Sequence, residues 1–179
     1  LGEDGILSGM TPGKAYFDLS TNSPTLMRRL HQVLGEQGIH VLDAPVSGGP
    51  SGAQSRNLAI WVGGDEEVYN RHKQVLDSIG DKATYVGPIG CGSIVKLVHN
   101  LSAYIIQCGL AETFTMGVKA GIEPLALWKA VRKGAIGRGS PVDGLAAHLL
   151  PGKFDPPDFA LRLARKDVDL AVGVGREFD

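Results

Sequence analysis

Cysteine is scarce in this 179-residue chain, and neither sign of charge predominates. Cys91 and Cys108 are too few for a disulfide framework and form no C-x-x-C pair, so they are typical of thiols in a reducing compartment. This predicts a cytoplasmic location, with an organelle matrix as the alternative. The formal net charge of -1 indicates no basic patch for nucleic acid or an anionic membrane. We therefore expect the partner to be a small molecule or another protein subunit.

The chain also lacks a long uninterrupted apolar run and the residue spacing of a metal site. The longest apolar region, from Ile94 to Ile122, is interrupted by charged residues, which predicts a buried helix and no membrane span. The histidines are scattered without metal-ligand spacing, and no cluster of cysteines or carboxylates joins them, so we predict no metal. Leu1 stands where an initiating methionine is expected, which indicates that the sequence starts inside a longer protein.

Short apolar runs alternate with amphipathic stretches up to about Gly87. The pattern predicts α/β structure, a partial doubly wound (Rossmann-type) sheet, in residues 1–89. Its expected strands cover residues 16–20, 40–46, 58–62 and 83–86, and its helices residues 25–36 and 65–79. Residues 90–179 show no convincing strand and predict an all-helical domain, with helices over 93–120, 124–133, 142–149 and 159–174.

The helix predicted from about Ser93 carries a narrow polar stripe inside an apolar surround. Gly92, Lys96 and Asn100 follow one another at steps of four, so they lie on one face. A lysine in such a place is partly desolvated, which favours its neutral form and suits proton exchange near neutral pH. Asn100 can donate and accept, as is needed to hold a substrate hydroxyl or carbonyl. The alternative is that Lys96 only extends to the rim of the packed surface.

Ser47, Gly48 and Gly49 follow a predicted strand, where ligands of open α/β sheets bind. The two glycines leave backbone N–H groups uncovered, and the serine adds a hydroxyl, so this loop is a candidate carboxylate site. A structural turn rich in serine and glycine is the alternative. Lys166 and Asp167, on the last predicted helix, are most simply explained as part of a solvated charged face.

Four segments, in this order, resemble the signatures of the β-hydroxyacid dehydrogenases, the family of 3-hydroxyisobutyrate dehydrogenase and of tartronate semialdehyde and glyoxylate reductases. They are Asp18-Leu19-Ser20-Thr21, Asp43 to Gly49, Gly90-x-Gly92-x-x-x-Lys96-x-x-x-Asn100 and Phe159 to Ala171. The resemblance extends over essentially the whole chain. It implies a two-domain oxidoreductase that uses NAD or NADP and forms a homodimer or homotetramer through its helical domain.

The resemblance also implies a role for each matching residue. Lys96 would be the general acid/base that exchanges a proton with the substrate hydroxyl during hydride transfer. Asn100 would orient the reacting oxygen, and Ser47, Gly48 and Gly49 would hold the carboxylate of a small hydroxy acid or semialdehyde. Thr21 and Lys166 would line the nicotinamide side of the cofactor.

The chain departs from the family pattern because it has no G-x-G-x-x-G loop to cradle the cofactor pyrophosphate. We therefore expect residues 1–179 alone to bind cofactor poorly and to lack activity, and we expect the family's last helix to be missing as well. Two alternatives stay open. The grouping Lys96-x-x-His99-Asn100 resembles 6-phosphogluconate dehydrogenases, which act on a sugar phosphate, and the helical part could instead be a non-catalytic dimerisation or scaffold module.

Overall fold

The computed structural model describes residues 5–81, 83–134, 137, 145–157 and 159–178. The chain forms two compact units. One comprises Leu1–Val98 together with Asp167–Asp179, and the other comprises His99–Lys166. The predicted division into part of a dinucleotide-binding domain, residues 1–89, and a helical domain, residues 90–179, stays a prediction.

The first unit contains a five-stranded mixed sheet. Its strands are β1 (Ala15–Asp18), β2 (His40–Asp43), β3 (Val46–Ser47), β4 (Ala59–Gly63) and β5 (Thr84–Gly87). The pairs β1–β2 and β4–β5 are parallel, whereas β4 runs antiparallel to both β2 and β3. The predicted α/β class with a partial Rossmann-type sheet is confirmed, with two antiparallel pairings, both of β4, that strand order alone did not indicate.

One predicted strand, residues 40–46, is two strands in the structure. Asp43 pairs with Gly63 at one end of β4, whereas Val46 pairs with Ile60 near the other end. Pro45 lies between them and has no N–H to donate to a strand ladder, which explains why the regular pairing stops there.

Helices cover both faces of the sheet. Helix α1 (Pro24–Gly35) packs on one face and α3 (Glu66–Asp77) on the other, α2 (Gly49–Ser55) follows β3, and a 3₁₀ turn precedes them at Ile6–Gly9. Ser23 and Asp65 cap α1 and α3 with their side-chain oxygens. Val41 and Leu42, neighbours on β2, belong to two separate buried clusters, as expected when alternate side chains of a strand point to opposite faces.

The rest of the described chain is helical. Helix α4 (Cys91–Lys119) begins in the first unit and continues into the second, and α5 covers Pro124–Lys133. A π-helical turn at Leu145–Leu149 follows, and α6 runs from Leu161 to Phe178. The first residues of the helix predicted over 142–149, residues 142–144, lie outside the described residues. In the second unit, Phe114 and Leu145 form a small core with α5.

The prediction that α4 is a buried helix is wrong for this chain. Only 11% of its most apolar 18-residue window is buried. Val98 and Ile105 are exposed by 61% and 65%. The apolar composition indicates that these side chains are shielded from water, but it does not show whether the same chain or another molecule shields them. By length and composition alone α4 could also cross a membrane, a requirement that core helices of soluble proteins meet as well.

Candidate active site

The N-terminus of α4 is held by a buried carboxylate from the sheet. Asp43, at the end of β2 and 1% exposed, accepts hydrogen bonds from the backbone N–H groups of Gly90 at 2.8 Å and Ser93 at 2.6 Å. These are among the N–H groups that a helix cannot satisfy internally. A negative charge at this end is also favoured by the helix dipole. Asp43 therefore fixes where α4 begins.

Glycine allows α4 to lie directly on the strands. A Cβ atom added to Gly92 would lie 2.4 Å from the carbonyl oxygen of Trp61 and 2.6 Å from that of Asp43. A Cβ on Gly63, at the end of β4, would lie 2.5 Å from the Asp43 carboxylate. Contact this close is possible only without side chains on either backbone. Gly92 of the G-x-G signature thus serves helix packing on the sheet.

The predicted burial of Lys96 is confirmed. Lys96 is 8% exposed and Asn100, one turn later on α4, is 9% exposed, although most of the surrounding surface of the helix is apolar. The polar stripe is therefore covered while apolar residues of the same helix are not. Burying a lysine and an amide has a free-energy cost unless they find polar partners.

In the second unit, His99 contacts the Asn100 side chain. The ring Nδ1 of His99 lies 3.0 Å from Oδ1 of Asn100. In this arrangement Nδ1–H donates and the amide oxygen accepts, which leaves the amide N–H₂ group of Asn100 as the donor for other contacts. His99 does not belong to the polar stripe of Gly92, Lys96 and Asn100, but in the structure it contacts that stripe through the Asn100 side chain.

The Ser47-Gly48-Gly49 segment is a strand end that leads into a helix, and not the loop that the sequence predicted. Ser47 ends β3, Gly48 has φ +141°, and Gly49, with φ +61°, begins α2. Both glycines are exposed, and a Cβ on Gly49 would meet no atom within 4 Å. The positive φ values explain why glycine stands at both positions, and their backbone is open to a ligand.

Thr21 lies in the loop after β1, and two side chains that sequence reasoning did not single out shape this loop. Asp18 accepts from the backbone N–H of Ser20 at 2.9 Å and from Nδ2 of Asn22 at 3.0 Å. Asn22 in turn accepts from the N–H of Ser23 at 2.8 Å. No pattern in the sequence indicated these contacts, because the i, i+4 rule for side-chain pairs holds only in helices.

Lys166 is exposed on α6, whereas the adjacent Asp167 is buried. The sequence interpretation of this segment as a solvated face therefore holds for the lysine and is wrong for the aspartate. Thr21, Ser47, Gly48, Gly49 and Lys96 all belong to the first unit, and Asn100 and Lys166 belong to the second. Within the described residues, no group of three or more His, Cys, Asp or Glu side chains could hold a metal ion.

Two family models match the chain. Residues 1–87 match the NAD binding domain of 6-phosphogluconate dehydrogenase, and residues 90–179, half of the chain, match the NAD-binding domain of NADP-dependent 3-hydroxyisobutyrate dehydrogenase. The chain belongs to the β-hydroxyacid dehydrogenase family. The resemblance drawn from the four sequence segments is confirmed, and so is the predicted cofactor class, NAD or NADP.

Several of the similar proteins are named as dehydrogenases. The chain is 36% identical to 2-(hydroxymethyl)glutarate dehydrogenase of Eubacterium barkeri over 98% of its own length and 58% of the relative's. The crystal structure of 3-hydroxyisobutyrate dehydrogenase from Salmonella typhimurium matches with a TM-score of 0.85 and 28% identity, over 98% of this chain and 61% of that one.

A structure of the Mycobacterium tuberculosis 3-hydroxyisobutyrate dehydrogenase with L-serine matches with a TM-score of 0.84 and 29% identity, over 97% of this chain and 61% of that one. The β-hydroxyacid dehydrogenase chain described here thus spans about three fifths of the length of the relatives it matches.

Proposed function

We propose that the protein is an NAD(P)-dependent oxidoreductase that interconverts a small 3-hydroxy acid and its semialdehyde. The observation that carries the proposal is a lysine, Lys96, that is only 8% exposed and lies one turn after the glycine by which α4 contacts the sheet. Relatives named as dehydrogenases of 2-(hydroxymethyl)glutarate and of 3-hydroxyisobutyrate support the substrate class. Serine, the molecule in the Mycobacterium structure, is itself a 3-hydroxy acid.

The residues of this chain fit one end of the cofactor. The carboxyl ends of the parallel strands β1 and β2 lie together, and such an edge is the usual nucleotide site of these sheets. Thr21 follows β1 there, and we assign it and Lys166 to the nicotinamide side. The chain does not fit the pyrophosphate, because it has no G-x-G-x-x-G loop and because Gly92 of its G-x-G segment packs on the carbonyls of Trp61 and Asp43.

In the proposed reaction, a bound NAD(P) supplies the hydride acceptor or donor. During oxidation Lys96 Nζ takes the proton of the substrate hydroxyl as the carbon loses its hydride, and during reduction it returns that proton to the carbonyl oxygen. Asn100 would hold the same oxygen through its amide N–H₂ group, since His99 engages the amide oxygen. Ammonium and amide thus both stabilise a partial negative charge on the reacting oxygen.

We assign the substrate carboxylate to the Ser47 hydroxyl and the backbone N–H groups of Gly48 and Gly49. Gly49→Ala tests this assignment, because the added methyl meets no protein atom and would occupy the space in front of the backbone. The left-handed φ costs about 1–2 kcal/mol of stability. We expect KM for the hydroxy acid to rise about tenfold or more, as one lost charge-assisted hydrogen bond would cause, with KM for the cofactor unchanged. An equal rise in both constants would contradict the assignment.

The test of the proposed activity is a substrate screen on the full-length protein. Reduced-nicotinamide absorbance would be followed with 3-hydroxyisobutyrate, 2-(hydroxymethyl)glutarate, serine and 6-phosphogluconate, each with NAD and with NADP. Turnover of the small hydroxy acids supports the proposal. Turnover of 6-phosphogluconate alone would support the sugar-phosphate alternative, which the Lys96-x-x-His99-Asn100 grouping suggested. Absence of turnover and of cofactor binding would support a non-catalytic scaffold.

We also propose that residues 1–179 alone bind cofactor weakly, because they provide no pyrophosphate loop. Calorimetry with NAD and NADP, on these residues and on the full-length protein, tests this. Binding by the full-length protein alone is the expected result. Equal binding by both would contradict it.

A homodimer or homotetramer is proposed as the assembly, in the cytoplasm or an organelle matrix. Its support is the exposed apolar surface of α4, which includes Val98, Ile105 and Met116. Light scattering on the full-length protein and its Ile105→Glu variant tests this. We expect an oligomer that the variant weakens, and a monomeric parent protein would refute it.

A further inference from the structure

We infer that Asp18 and Asn22 are positioning residues for the cofactor: together they fix the loop that presents Thr21 to the nicotinamide. This inference rests on the proposed function, in which Thr21 lies at the nicotinamide side. It adds two residues that neither the sequence signatures nor the family assignment gives a role.

The two side chains form a continuous chain of hydrogen bonds across the loop. Oδ1 of Asp18 accepts from the Ser20 N–H at 2.9 Å, and Oδ2 accepts from Nδ2 of Asn22 at 3.0 Å. The remaining polar atom of the Asn22 amide, Oδ1, accepts from the Ser23 N–H at 2.8 Å. The backbone is thus held at Ser20 and Ser23, one on each side of the Thr21–Asn22 pair.

Both ends of this chain of bonds are anchored in regular structure. Asp18 is the last residue of β1, its carbonyl accepts from the Ala44 N–H, and its Cα lies in register with that of Asp43 on β2. Ser23 is the N-cap of α1, with its hydroxyl 3.5 Å from the Leu26 N–H. The four-residue connection therefore has little freedom, and the Thr21 backbone takes its direction from the sheet and from α1.

The burial of Asp18 shows that its contacts are specific. It is 5% exposed, and a buried carboxylate is strongly disfavoured unless hydrogen-bond donors surround it. Each of its oxygens accepts a bond from the loop itself. Its effect on a cofactor would therefore pass through the loop, which makes it a positioning residue and not a catalytic one.

The test exchanges the two side chains. In Asp18→Asn the new amide N–H₂ group faces that of Asn22, and in Asn22→Asp two carboxylates face each other, so each single variant loses the central bond. In the double variant Asp18→Asn/Asn22→Asp all three bonds can form again. The amide of residue 18 then donates to the carboxylate of residue 22, and the Ser20 and Ser23 N–H groups keep their acceptors.

Steady-state kinetics on the full-length protein would measure KM for NAD(P), KM for the hydroxy acid and kcat. We expect each single variant to raise KM for the cofactor about tenfold, as the loss of one buried hydrogen bond would do. The double variant should return to within about threefold of the parent. KM for the hydroxy acid, and kcat at saturating cofactor, should change by less than about twofold, because Lys96 and the Gly48–Gly49 backbone are not displaced.

Asp65→Asn is the matched control. Asp65 also follows a strand and accepts from two backbone N–H groups, those of Glu67 and Val68, but it caps α3 and not the Thr21 loop. It should leave KM for the cofactor unchanged, and the melting temperature should change little because asparagine caps a helix about as well as aspartate. If Asp18→Asn does not fold, Asn22→Ala replaces it, because that change removes the bridge without placing like groups against each other.

The inference is overturned if the single variants keep the parent KM for the cofactor, or if the double variant is no better than the singles. Failure of the proposed function gives a different result, namely a parent protein that binds NAD(P)H by fluorescence but does not turn over hydroxy acids. In that case the dissociation constant of NAD(P)H replaces KM in the same comparison. A parent protein that does not bind NAD(P)H overturns both.

Discussion

The carboxylate of Asp43 is almost completely buried and accepts hydrogen bonds from two backbone N–H groups at the α4 N-terminus. We predict that Asp43→Asn lowers the free energy of unfolding by about 2–3 kcal/mol, because the new N–H₂ group would face a backbone donor. Urea denaturation measures this. A loss below about 0.5 kcal/mol would mean that the carboxylate does not hold the helix.

Single residues were predictable from the sequence where their neighbours on one helix decide the outcome. The apolar residues around Lys96 predicted its burial, which the structure confirms. The partners of Asp43 lie 47 and 50 residues away along the chain, so only the folded sheet brings them together. The role of Asp18 was hidden for another reason: its bonds are local, but nothing in the sequence shows that its side chain turns back over the loop.

At the scale of elements, the seating of α4 on the strands depends on Gly92. We predict that Gly92→Ala destabilises the fold by about 3 kcal/mol or more, because the Cβ would lie closer to two carbonyl oxygens than the van der Waals contact distance allows. Gly109→Ala is the control on the same helix, since no atom lies within 4 Å of its added Cβ. It should stabilise the protein by up to about 1 kcal/mol through helix propensity.

Thermal or urea unfolding of the two variants decides the point. If both glycine changes have the same sign, backbone contact at Gly92 is not what limits the approach of the helix.

Element boundaries were predictable where proline, glycine or a capping residue marks them. Helix α5 begins at Pro124 and ends at Lys133 as predicted, and Gly121, with φ +95°, follows the end of α4. The predicted strand 40–46 is wrong because a continuous apolar run does not show that Pro45 redirects the chain to the other end of β4. The predicted burial of α4 is wrong because hydrophobicity does not show which molecule covers a helix.

For the whole molecule, the last helix is tied to the first by Glu177. Its carboxylate accepts from the Thr25 hydroxyl and pairs with Arg28. The Thr25 hydrogen bond and then the Arg28 contact hold the pKa of Glu177 below its ordinary value of 4.5. A lowered folded-state pKa adds stability that is complete above the unfolded-state pKa and disappears as pH falls through the folded-state one.

We therefore predict that Glu177→Gln lowers the melting temperature slightly at neutral pH, by about 1–3 °C, since the pair is exposed and screened. The difference from the parent should shrink as the pH falls below 4.5 and through the lowered folded-state pKa of Glu177. Melting curves over this range give the answer, and a difference that widens in acid would contradict the assigned direction of the pKa shift.

The fold class, the family and the cofactor class followed from the sequence because four signatures occur in order along the whole chain. The substrate could not be predicted from the sequence, because the residues that we assign to it would hold a carboxylate and a hydroxyl, and all small hydroxy acids have both groups. The chain spans about three fifths of the length of these relatives.

The most direct test of the account is the turnover of Lys96→Ala in the full-length protein, with Lys119→Ala as the control at the exposed end of the same helix. We predict that kcat for the hydroxy acid falls by about 10² to 10⁴, the usual contribution of a positioned acid/base. Cofactor affinity should stay at the parent value, added primary amines should partly restore turnover, and Lys119→Ala should match the parent. Turnover of Lys96→Ala within about tenfold of the parent would contradict the assignment of Lys96 as the proton relay.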